Sequence, residues 1–200
     1  VGGHEHEPEF SPGTATSAAV MKGASNARVV WAIDVDFDAA GQFSLTERKI
    51  TLDESVALDP DYEVLANKWR GRLLDRFPFL EARIGTAALP LDGREVAGRN
   101  EESNWANFIV DQMRGAFGEP SDLAFINGGT LRIDDYIEDD ILFEDIGRTF
   151  GFSSYLRLVE MSGAEFREVM EAGYRGFGPS KGYFPQLSGF RVCVDRRRNE

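Results

Sequence analysis

The sequence predicts a mixed α/β (α+β) fold, with strands alternating with helices around a mixed sheet. In segment 29–38 the large apolar residues occupy every second position, which is the period of a half-buried strand. A second segment has large apolar residues spaced by four, the period of a helix: Leu65, Trp69, Leu73 and Phe77. With 200 residues and 42% hydrophobic content, the chain can form one or two domains with a core.

The first strand carries three aspartates that alternate with its apolar residues. Such a row can be mistaken for a calcium site, but a calcium loop gathers its oxygens around a turn, whereas a straight strand spaces them apart. We therefore interpret the aspartates as a solvated face. The chain then turns at 39–42, and segment 43–52 is predicted to return as the second strand of a hairpin.

A long helix is predicted to begin at Asp59-Pro60, because aspartate caps helices and proline suits the first helical position. It should end near Pro78, before a strand over Ile84–Leu89. The next helix, Asn104–Phe117, is expected to bury five large apolar residues: Trp105, Phe108, Ile109, Met113 and Phe117.

Further short strands are predicted at 122–126 and 156–161. Ser162 and Glu165 have the spacing of a capping box, which predicts a helix through Ala172. The chain is expected to end with a glycine-rich loop over 176–182, followed by a bend and a strand over 183–195.

The amino-acid composition limits the kinds of partner that the protein can bind. The formal charge of -12 repels nucleic acid polymers and anionic membranes, so an anionic ligand must be held by local donors. No run approaches the roughly 18 to 20 apolar residues that a membrane span needs.

The basic run Arg196–Arg198 is best explained as a solvated strand end rather than a phosphate patch. Cys193 lies in an alternating run and is interpreted as a strand residue, not a reactive thiol.

The segment Phe125–Arg132 offers the most specific binding chemistry. Asn127 can donate to and accept from a base edge or a ribose hydroxyl, and Arg132 can bind a phosphate or carboxylate. Gly128 and Gly129 allow the backbone to approach a ligand closely. The alternative is a tight turn in which Asn127 and Arg132 bond only to local backbone.

This segment follows the helix over 104–113 and precedes Thr149-Phe150-Gly151-Phe152. In that order, the set resembles the carboxy-terminal, substrate-binding domain of the 5'-nucleotidase family. The resemblance implies that Phe152 stacks on a nucleobase and that Phe150 belongs to the core, although a lone phenylalanine is more often a core residue. Relatives usually show Pro-Phe-Gly where this chain has Gly151-Phe152-Ser153.

The resemblance adds two further features. Arg99 precedes the helix as an arginine does in many relatives, which implies substrate binding. Some nucleotidases place a phosphate-contacting arginine two positions later, where this chain has Glu101. The run Gly182–Gly189 matches a bend of the family that contains a glutamine, a serine and a glycine, and the resemblance gives that bend a structural role.

The first residues, Val1–His6, resemble the last metal-binding loop of the metallophosphoesterase domain that precedes the nucleotidase domain in that family. This implies that His4 and His6 are metal ligands; without the resemblance, two histidines do not complete a metal site. The implied domains are a metallophosphoesterase β-sandwich remnant at 1–54, a linker helix at 55–79 and an incomplete nucleotidase domain at 80–200. We therefore expect a fragment that is truncated at both ends.

The resemblance implies a parent that is a 5'-nucleotidase-like phosphohydrolase with two divalent metal ions, located in the periplasm or outside the cell. This chain is expected to recognise the base and ribose of a nucleotide or nucleoside, to contain no catalytic residue, to bind no metal by itself and to be inactive alone. The alternatives are a non-catalytic nucleotide-binding or scaffold module, and a sister hydrolase acting on cyclic nucleotides or sulfur-containing substrates.

Overall fold

The structure, a computed structural model, describes residues 4, 6–14, 16–119, 121–175 and 181–195. The chain divides into two compact units, Val1–Trp69 and Arg70–Glu200. The division falls inside the range 55–79 that was predicted to link two domains. In the described ranges, no helix is both long enough and apolar enough to cross a membrane.

The first unit contains two antiparallel strand pairs. β1 (Glu9–Ser11) pairs with β2 (Val20–Lys22), and β3 (Val29–Phe37) pairs with β4 (Phe43–Thr51). Trp31 joins them, because its indole Nε1 donates to the Lys22 carbonyl at 3.0 Å and its ring lies 5.8 Å from that of Phe10. The strands at 29–38 and 43–52 are confirmed, while the origin of this unit in a metallophosphoesterase β-sandwich stays a prediction.

A side-chain cap closes the β3–β4 hairpin. Asp38 Oδ1 accepts from the backbone N–H groups of Ala40 and Gln42 at 2.9 and 2.8 Å, and Gly41 adopts a positive φ of 75°. Such an arrangement is expected of aspartate in a turn. Phe37 lies opposite Phe43, with a ring-centroid distance of 6.3 Å.

The prediction that β3 buries its apolar face is wrong for this unit. Ile33 and Val35 are 47% and 48% exposed, and Phe37 is 71% exposed. Asp34 and Asp36 are exposed as well, as expected of a solvated face. Alternation therefore predicts the strand correctly, but burial also requires a neighbouring element, and none among the described residues of the unit covers this end of the hairpin.

Helix α1 (Pro60–Arg76) begins where the sequence predicts. Asp59 Oδ1 accepts from the backbone N–H of Asp61 at 2.9 Å, which caps the first turn. The helix crosses the division between the units and has no buried residue in this structure. Its predicted apolar stripe is exposed, with Trp69 58% and Leu73 42% accessible.

The described residues of the second unit form four further helices and six strands, which are given in chain order: β5 (Arg83–Thr86), β6 (Leu91–Asp92), α2 (Glu95–Gly98), α3 (Asn104–Gly115), β7 (Ala124–Asn127), β8 (Tyr136–Ile137), β9 (Asp140–Leu142), α4 (Phe143–Thr149), α5 (Gly163–Tyr174) and β10 (Pro185–Ser188). Single 3-10 turns occur at Pro78–Glu81 and Gly128–Thr130.

The mixture of helices and strands is confirmed, but the pairing differs from the predicted mixed sheet. Among the described residues, β5 pairs with β9, β6 with β8 and β7 with β10, and every pair is antiparallel and two-stranded. These strands are two to four residues long. A strand of this length can form only a few inter-strand hydrogen bonds, so each strand pairs with one neighbour along a short stretch.

Two predicted strands are also wrong. Segment 156–161 has no regular secondary structure, and Leu158 and Val159 are 62% and 60% exposed. Strand β10 ends at Ser188, so Cys193, which was predicted to lie in a strand, lies outside it and is exposed. Both segments have the composition of strands but lack a paired neighbour in the described part of the chain.

Helix α3 supplies the centre of the core. Ser103 caps it, with its Oγ accepting from the Ala106 N–H at 3.1 Å, and Trp105 and Ala106 are fully buried. The prediction of five buried residues is partly wrong: Trp105 and Ile109 are buried, but Phe108 and Phe117 are 38% and 50% exposed. The core cluster around this helix contains Trp105, Ala106, Ile109, Leu131, Ile133, Ile137 and Ile141.

The capping box of α5 is confirmed. The Ser162 N–H donates to Glu165 Oε2 at 2.7 Å, and the Glu165 N–H donates to Ser162 Oγ at 3.3 Å. The backbone hydrogen bond from Ser162 lowers the pKa of the Glu165 carboxyl below its usual value. Three predicted features fall wholly or partly outside the described residues: Gly2-Gly3, residues 176–180 of the glycine-rich loop, and Arg196–Arg198.

Candidate functional site

The candidate site lies in the second unit, at the turn that follows β7. Asn127 ends that strand, and Gly128–Thr130 form a single 3-10 turn. A Cβ atom on Gly128 would lie 1.9 Å from the Gly98 carbonyl oxygen, and one on Gly129 would lie 2.8 Å from the Gly182 carbonyl oxygen. Glycine is therefore required at both positions because other backbone segments of the protein pack against the turn.

The amides of this turn are engaged within the protein. The Gly128 N–H donates to the Phe184 carbonyl at 2.7 Å, and the Gly129 N–H donates to the Gly182 carbonyl at 2.8 Å. The sequence suggested that this turn presents its backbone to a ligand. The structure instead places these two glycines in a scaffold that holds three chain segments together.

Asn127 is exposed, and both ends of its side chain have partners. Nδ2 donates to the Gly182 carbonyl at 3.0 Å, and Oδ1 accepts from the Thr130 hydroxyl at 2.8 Å. This is the local bonding that the sequence allowed as an alternative. A carboxamide has two N–H groups and two lone pairs on its oxygen, so one donor and one acceptor position remain for a ligand.

Arg132 and Phe152 are brought together. The guanidinium carbon of Arg132 lies 5.3 Å from the centroid of the Phe152 ring, within the range of a cation–π contact. Arg132 Nη1 also donates to the Gly129 carbonyl at 3.2 Å, and its backbone N–H donates to the Thr149 carbonyl. The arginine thus connects the glycine turn with the segment that carries Phe152.

The two phenylalanines after α4 have different surroundings. Phe152 is 65% exposed, which leaves much of its ring accessible to a planar ligand. Phe150 is partly buried and packs against the core cluster. An aromatic ring that is exposed beside a cation is a surface on which a base can stack.

Arg99 lies directly after α2, next to the Gly98 carbonyl that packs on Gly128. Its Nη1 pairs with Glu95 Oε1 at 2.7 Å, with the two side chains only 14% and 16% exposed. Asp134 Oδ1 accepts from the Glu95 N–H at 2.8 Å and so caps the short helix. Within the described ranges, the buried Arg99 Nε has no hydrogen-bond partner.

His4 and His6 belong to the first unit. His4 is exposed with a positive φ of 76°, and His6 is half-buried with its carbonyl accepting from the Ser25 N–H at 3.0 Å. In the described ranges, no group of three or more His, Cys, Asp or Glu side chains is placed to hold a metal ion. These two histidines therefore do not form a complete metal site with the described residues.

Sequence reasoning placed Gln186 in a bend with a structural role but did not connect it to this site. Its side chain is 1% exposed and bonds to the loop that carries Arg99. The available signal was a glutamine two positions before Ser188 in a short strand, since residues two apart on a strand share a face. Contacts thus link the segments that carry the candidate site residues: Gly98, next to Arg99, packs on Gly128, Arg132 bonds to Gly129, and the Arg132 guanidinium lies over the Phe152 ring.

Comparisons with known proteins agree with this architecture. Residues 83–200 match the family described as "5'-nucleotidase, C-terminal domain". The 5'-nucleotidase of Bos taurus is 28% identical over 178 residues, which are 84% of this chain and 30% of that protein. The "Trifunctional nucleotide phosphoesterase protein YfkN" of Bacillus subtilis is 26% identical over 164 residues, which are 78% of this chain and 11% of that protein.

The fold agrees with a solved structure. The crystal structure of the 5'-nucleotidase precursor from Thermus thermophilus superimposes with a TM-score of 0.71 and 22% identity, covering 96% of this chain and 38% of that one. This chain therefore spans about a third of the length of these two 5'-nucleotidases and 11% of the Bacillus subtilis protein. Because the family match covers more than half of the chain, the protein belongs to the 5'-nucleotidase C-terminal domain family.

Proposed function

We propose that the second unit recognises the base and ribose of a nucleotide. The observation that carries this proposal is the contact between the Arg132 guanidinium and the exposed Phe152 ring, 5.3 Å from its centroid, beside the Gly128–Thr130 turn. Phe152 offers a surface for the base, and Asn127 offers its remaining donor and acceptor to a base edge or a ribose hydroxyl.

The phosphate is assigned to the two arginines of the site. The chain has a formal charge of -12, so a nucleotide phosphate gains nothing from the overall field and needs local cations. Arg132 donates to the Gly129 carbonyl, and Arg99 follows Gly98, whose carbonyl packs on Gly128. Guanidinium groups bind phosphate in a bidentate manner. Arg99 would share its guanidinium between Glu95 and the phosphate.

The activity proposed for the whole protein is hydrolysis of a nucleotide phosphoester, as the names of the relatives indicate. His4 and His6 are proposed to contribute to a centre of two divalent metal ions, which would activate water and polarise the phosphoryl group. The described residues do not complete that centre. Its other ligands would come from the part of a relative's length that this chain does not span. The periplasm or the cell exterior is the proposed location.

Binding of adenosine monophosphate tests the proposal directly. In a titration followed by amide chemical shifts, we expect perturbations at Asn127, Arg132 and Phe152. Substitution Phe152→Ala should weaken binding roughly 5- to 150-fold, because stacking on an aromatic ring contributes about 1 to 3 kcal/mol per base.

Tyr155→Ala is the matched control, since Tyr155 is 86% exposed and lies close to Phe152 in the chain. It should leave the affinity unchanged. Equal affinity of the Phe152→Ala variant and the unsubstituted chain would show that Phe152 does not stack on the base.

A second expected result concerns hydrolysis by this chain alone. With manganese, cobalt or zinc and 5'-mononucleotides or cyclic nucleotides, we expect turnover at least about a hundredfold below that of a longer relative, because a two-metal reaction needs more ligands than two histidines. Turnover close to that of the relative would contradict the assignment of the chemistry to residues outside this chain. Binding without turnover in a chain that spans the whole family length would favour the non-catalytic alternative.

A further inference from the structure

The inference concerns Gln186, which lies on β10 beside the glycine turn. In the β7–β10 ladder, Gln186 lies opposite Ile126, and Pro185 lies opposite Asn127. The Gln186 side chain is 1% exposed, so it cannot contact a bound nucleotide through an open surface. Any effect of this residue on binding must act through its neighbours.

The hydrogen bonds of the Gln186 carboxamide go to one loop. Nε2 donates to the Gly98 carbonyl at 2.9 Å and to the Glu101 carbonyl at 2.7 Å, while Oε1 accepts from the Ser103 N–H at 3.4 Å. These three backbone groups lie on either side of Arg99 along the chain. Both N–H groups of the amide and one lone pair of its oxygen are therefore committed to the loop over 98–103.

The helices on either side of the loop over 98–103 have caps of their own, so the Gln186 bonds are made to the loop itself. Asp134 caps the start of α2 through the Glu95 N–H, and Ser103 caps α3 through the Ala106 N–H. Gln186 lies on β10, which pairs with β7, the strand that leads into the Gly128–Thr130 turn. The Gly128 N–H also donates to the Phe184 carbonyl, just before β10. One side chain thus joins the loop of Arg99 to the strand pair that carries Asn127.

We propose that Gln186 is a positioning residue for nucleotide binding, which holds Arg99 at a fixed place relative to the Asn127–Gly129 turn. This inference rests on the proposed function. Removing the carboxamide would leave two carbonyls and one N–H without their buried partner, and the loop would move to reach other partners. The backbone that carries Arg99 would then no longer be fixed against the turn.

The test compares Gln186→Leu with Ser188→Ala in the 200-residue chain. Ser188 lies on the same strand face and is 5% exposed, and its hydroxyl donates to the carboxylate of Asp111 rather than to the loop of Arg99. Gln186→Leu removes three hydrogen bonds and Ser188→Ala removes one, so each affinity is compared with the melting temperature of the same variant. Calorimetric titration with adenosine monophosphate, with the melting temperature measured alongside, separates loss of positioning from loss of stability.

For Gln186→Leu we expect the affinity for adenosine monophosphate to fall by about tenfold or more and the Ser103 amide to exchange faster with solvent, since three bonds to the loop are lost. Ser188→Ala should change the affinity by less than about twofold. Affinity that falls equally in both variants, or that is unchanged in Gln186→Leu, overturns the inference. If the unsubstituted chain binds no adenosine monophosphate, the proposed function fails and this inference fails with it.

Substitution Gln186→Glu adds a measurement that a merely structural role would not affect. A buried carboxylate cannot donate to the Gly98 and Glu101 carbonyls, whereas the protonated carboxyl group can donate to one of them. Burial raises the pKa of such a group. The affinity of this variant for adenosine monophosphate, measured relative to that of the unsubstituted chain, should therefore recover as the pH falls from about 8 to about 5. A ratio that stays constant over this range contradicts the positioning role.

Discussion

Substitution Gly128→Ala is expected to displace the loop of Arg99 and to abolish measurable binding of adenosine monophosphate. The added Cβ would lie 1.9 Å from the Gly98 carbonyl oxygen and 2.8 Å from its carbon, and both are backbone atoms that cannot rotate away. One of the two segments must move. Overpacking of this kind destabilises a protein by about 1 to 3 kcal/mol, and more where backbone meets backbone.

Gly98→Ala is the control, because Gly98 is the residue whose carbonyl packs on Gly128, and this variant adds the methyl group to Gly98 instead. A Cβ on Gly98 meets no atom within 4 Å. Gly98 ends helix α2 without a positive φ, so alanine there should be neutral or stabilising by up to about 1 kcal/mol. Nucleotide binding should survive in this variant.

Urea unfolding and a titration with adenosine monophosphate distinguish the two glycines. A Gly128→Ala variant that binds the nucleotide as well as the Gly98→Ala variant would show that the turn can shift without moving the site. The same outcome would weaken the proposal that Gly128 and Arg99 belong to one binding site. Unchanged shifts of the Gly98 and Ser103 amides in Gly128→Ala would contradict the predicted displacement.

Local features of the fold could be predicted from the sequence because their causes are local. The starts of α1 and α5 follow from Asp59 and from the Ser162–Glu165 capping box, whose bonds join residues at most three apart. The hairpin at Asp38 is another such case. Pairing of the short strands in the second unit could not be predicted in this way, because the partner of each strand lies in a distant segment.

Burial was the weakest prediction, for a related reason. A period of two or four shows which side of an element is apolar, but it does not show whether another element covers that side. Val35 of β3 and Trp69 of α1 both follow the predicted pattern, yet they are 48% and 58% exposed. On α3, the same pattern did identify Trp105 and Ile109 as core residues, because apolar residues from later segments of the unit pack on them.

Asn127 and Arg132 of the candidate site could be read from one short segment, whereas Arg99 and Phe152 came from the family resemblance. The hydrogen-bond partners of these residues could not be predicted. Asn127 bonds to Gly182, which is 55 positions away, and Gln186 bonds to Gly98 across 88 positions. Gly128 and Gly129 likewise contact distant backbone, at Gly98 and Gly182, so in this structure they serve as packing positions. The sequence predicted binding chemistry for this segment, whereas the structure shows which of its polar groups are already bonded within the protein.

Trp105→Ala is expected to cause the largest loss of stability in the second unit. Trp105 is 0% exposed and lies at the centre of the core cluster, where it packs with Leu131 and Ile133. Truncation of a buried tryptophan removes apolar contacts and leaves a cavity, which costs about 3 to 5 kcal/mol. Since Leu131 and Ile133 flank Arg132 in the chain, loss of this packing should also release the Arg132–Phe152 contact.

Trp105→Phe separates packing from hydrogen bonding. The Trp105 indole donates to the Thr149 hydroxyl at 3.0 Å, and that hydroxyl in turn donates to the Asp145 carbonyl at 2.6 Å. Phenylalanine keeps part of the side-chain volume but removes the hydrogen-bond donor. We therefore expect the free energy of unfolding to fall by more than about 1 kcal/mol but by less than in the alanine variant. Phe108→Ala is the exposed control, because Phe108 stacks on Trp105 with ring centroids 5.5 Å apart but is 38% exposed.

Urea unfolding, followed through amide resonances of the second unit, reports these losses for that unit. The expected order of destabilisation is Trp105→Ala, then Trp105→Phe, then Phe108→Ala. A loss below about 1 kcal/mol for Trp105→Ala would mean that the core does not depend on this side chain. If the alanine variant remains folded and binds adenosine monophosphate normally, Arg132 is held by its bonds to Gly129 and Thr149 rather than by the core beneath it.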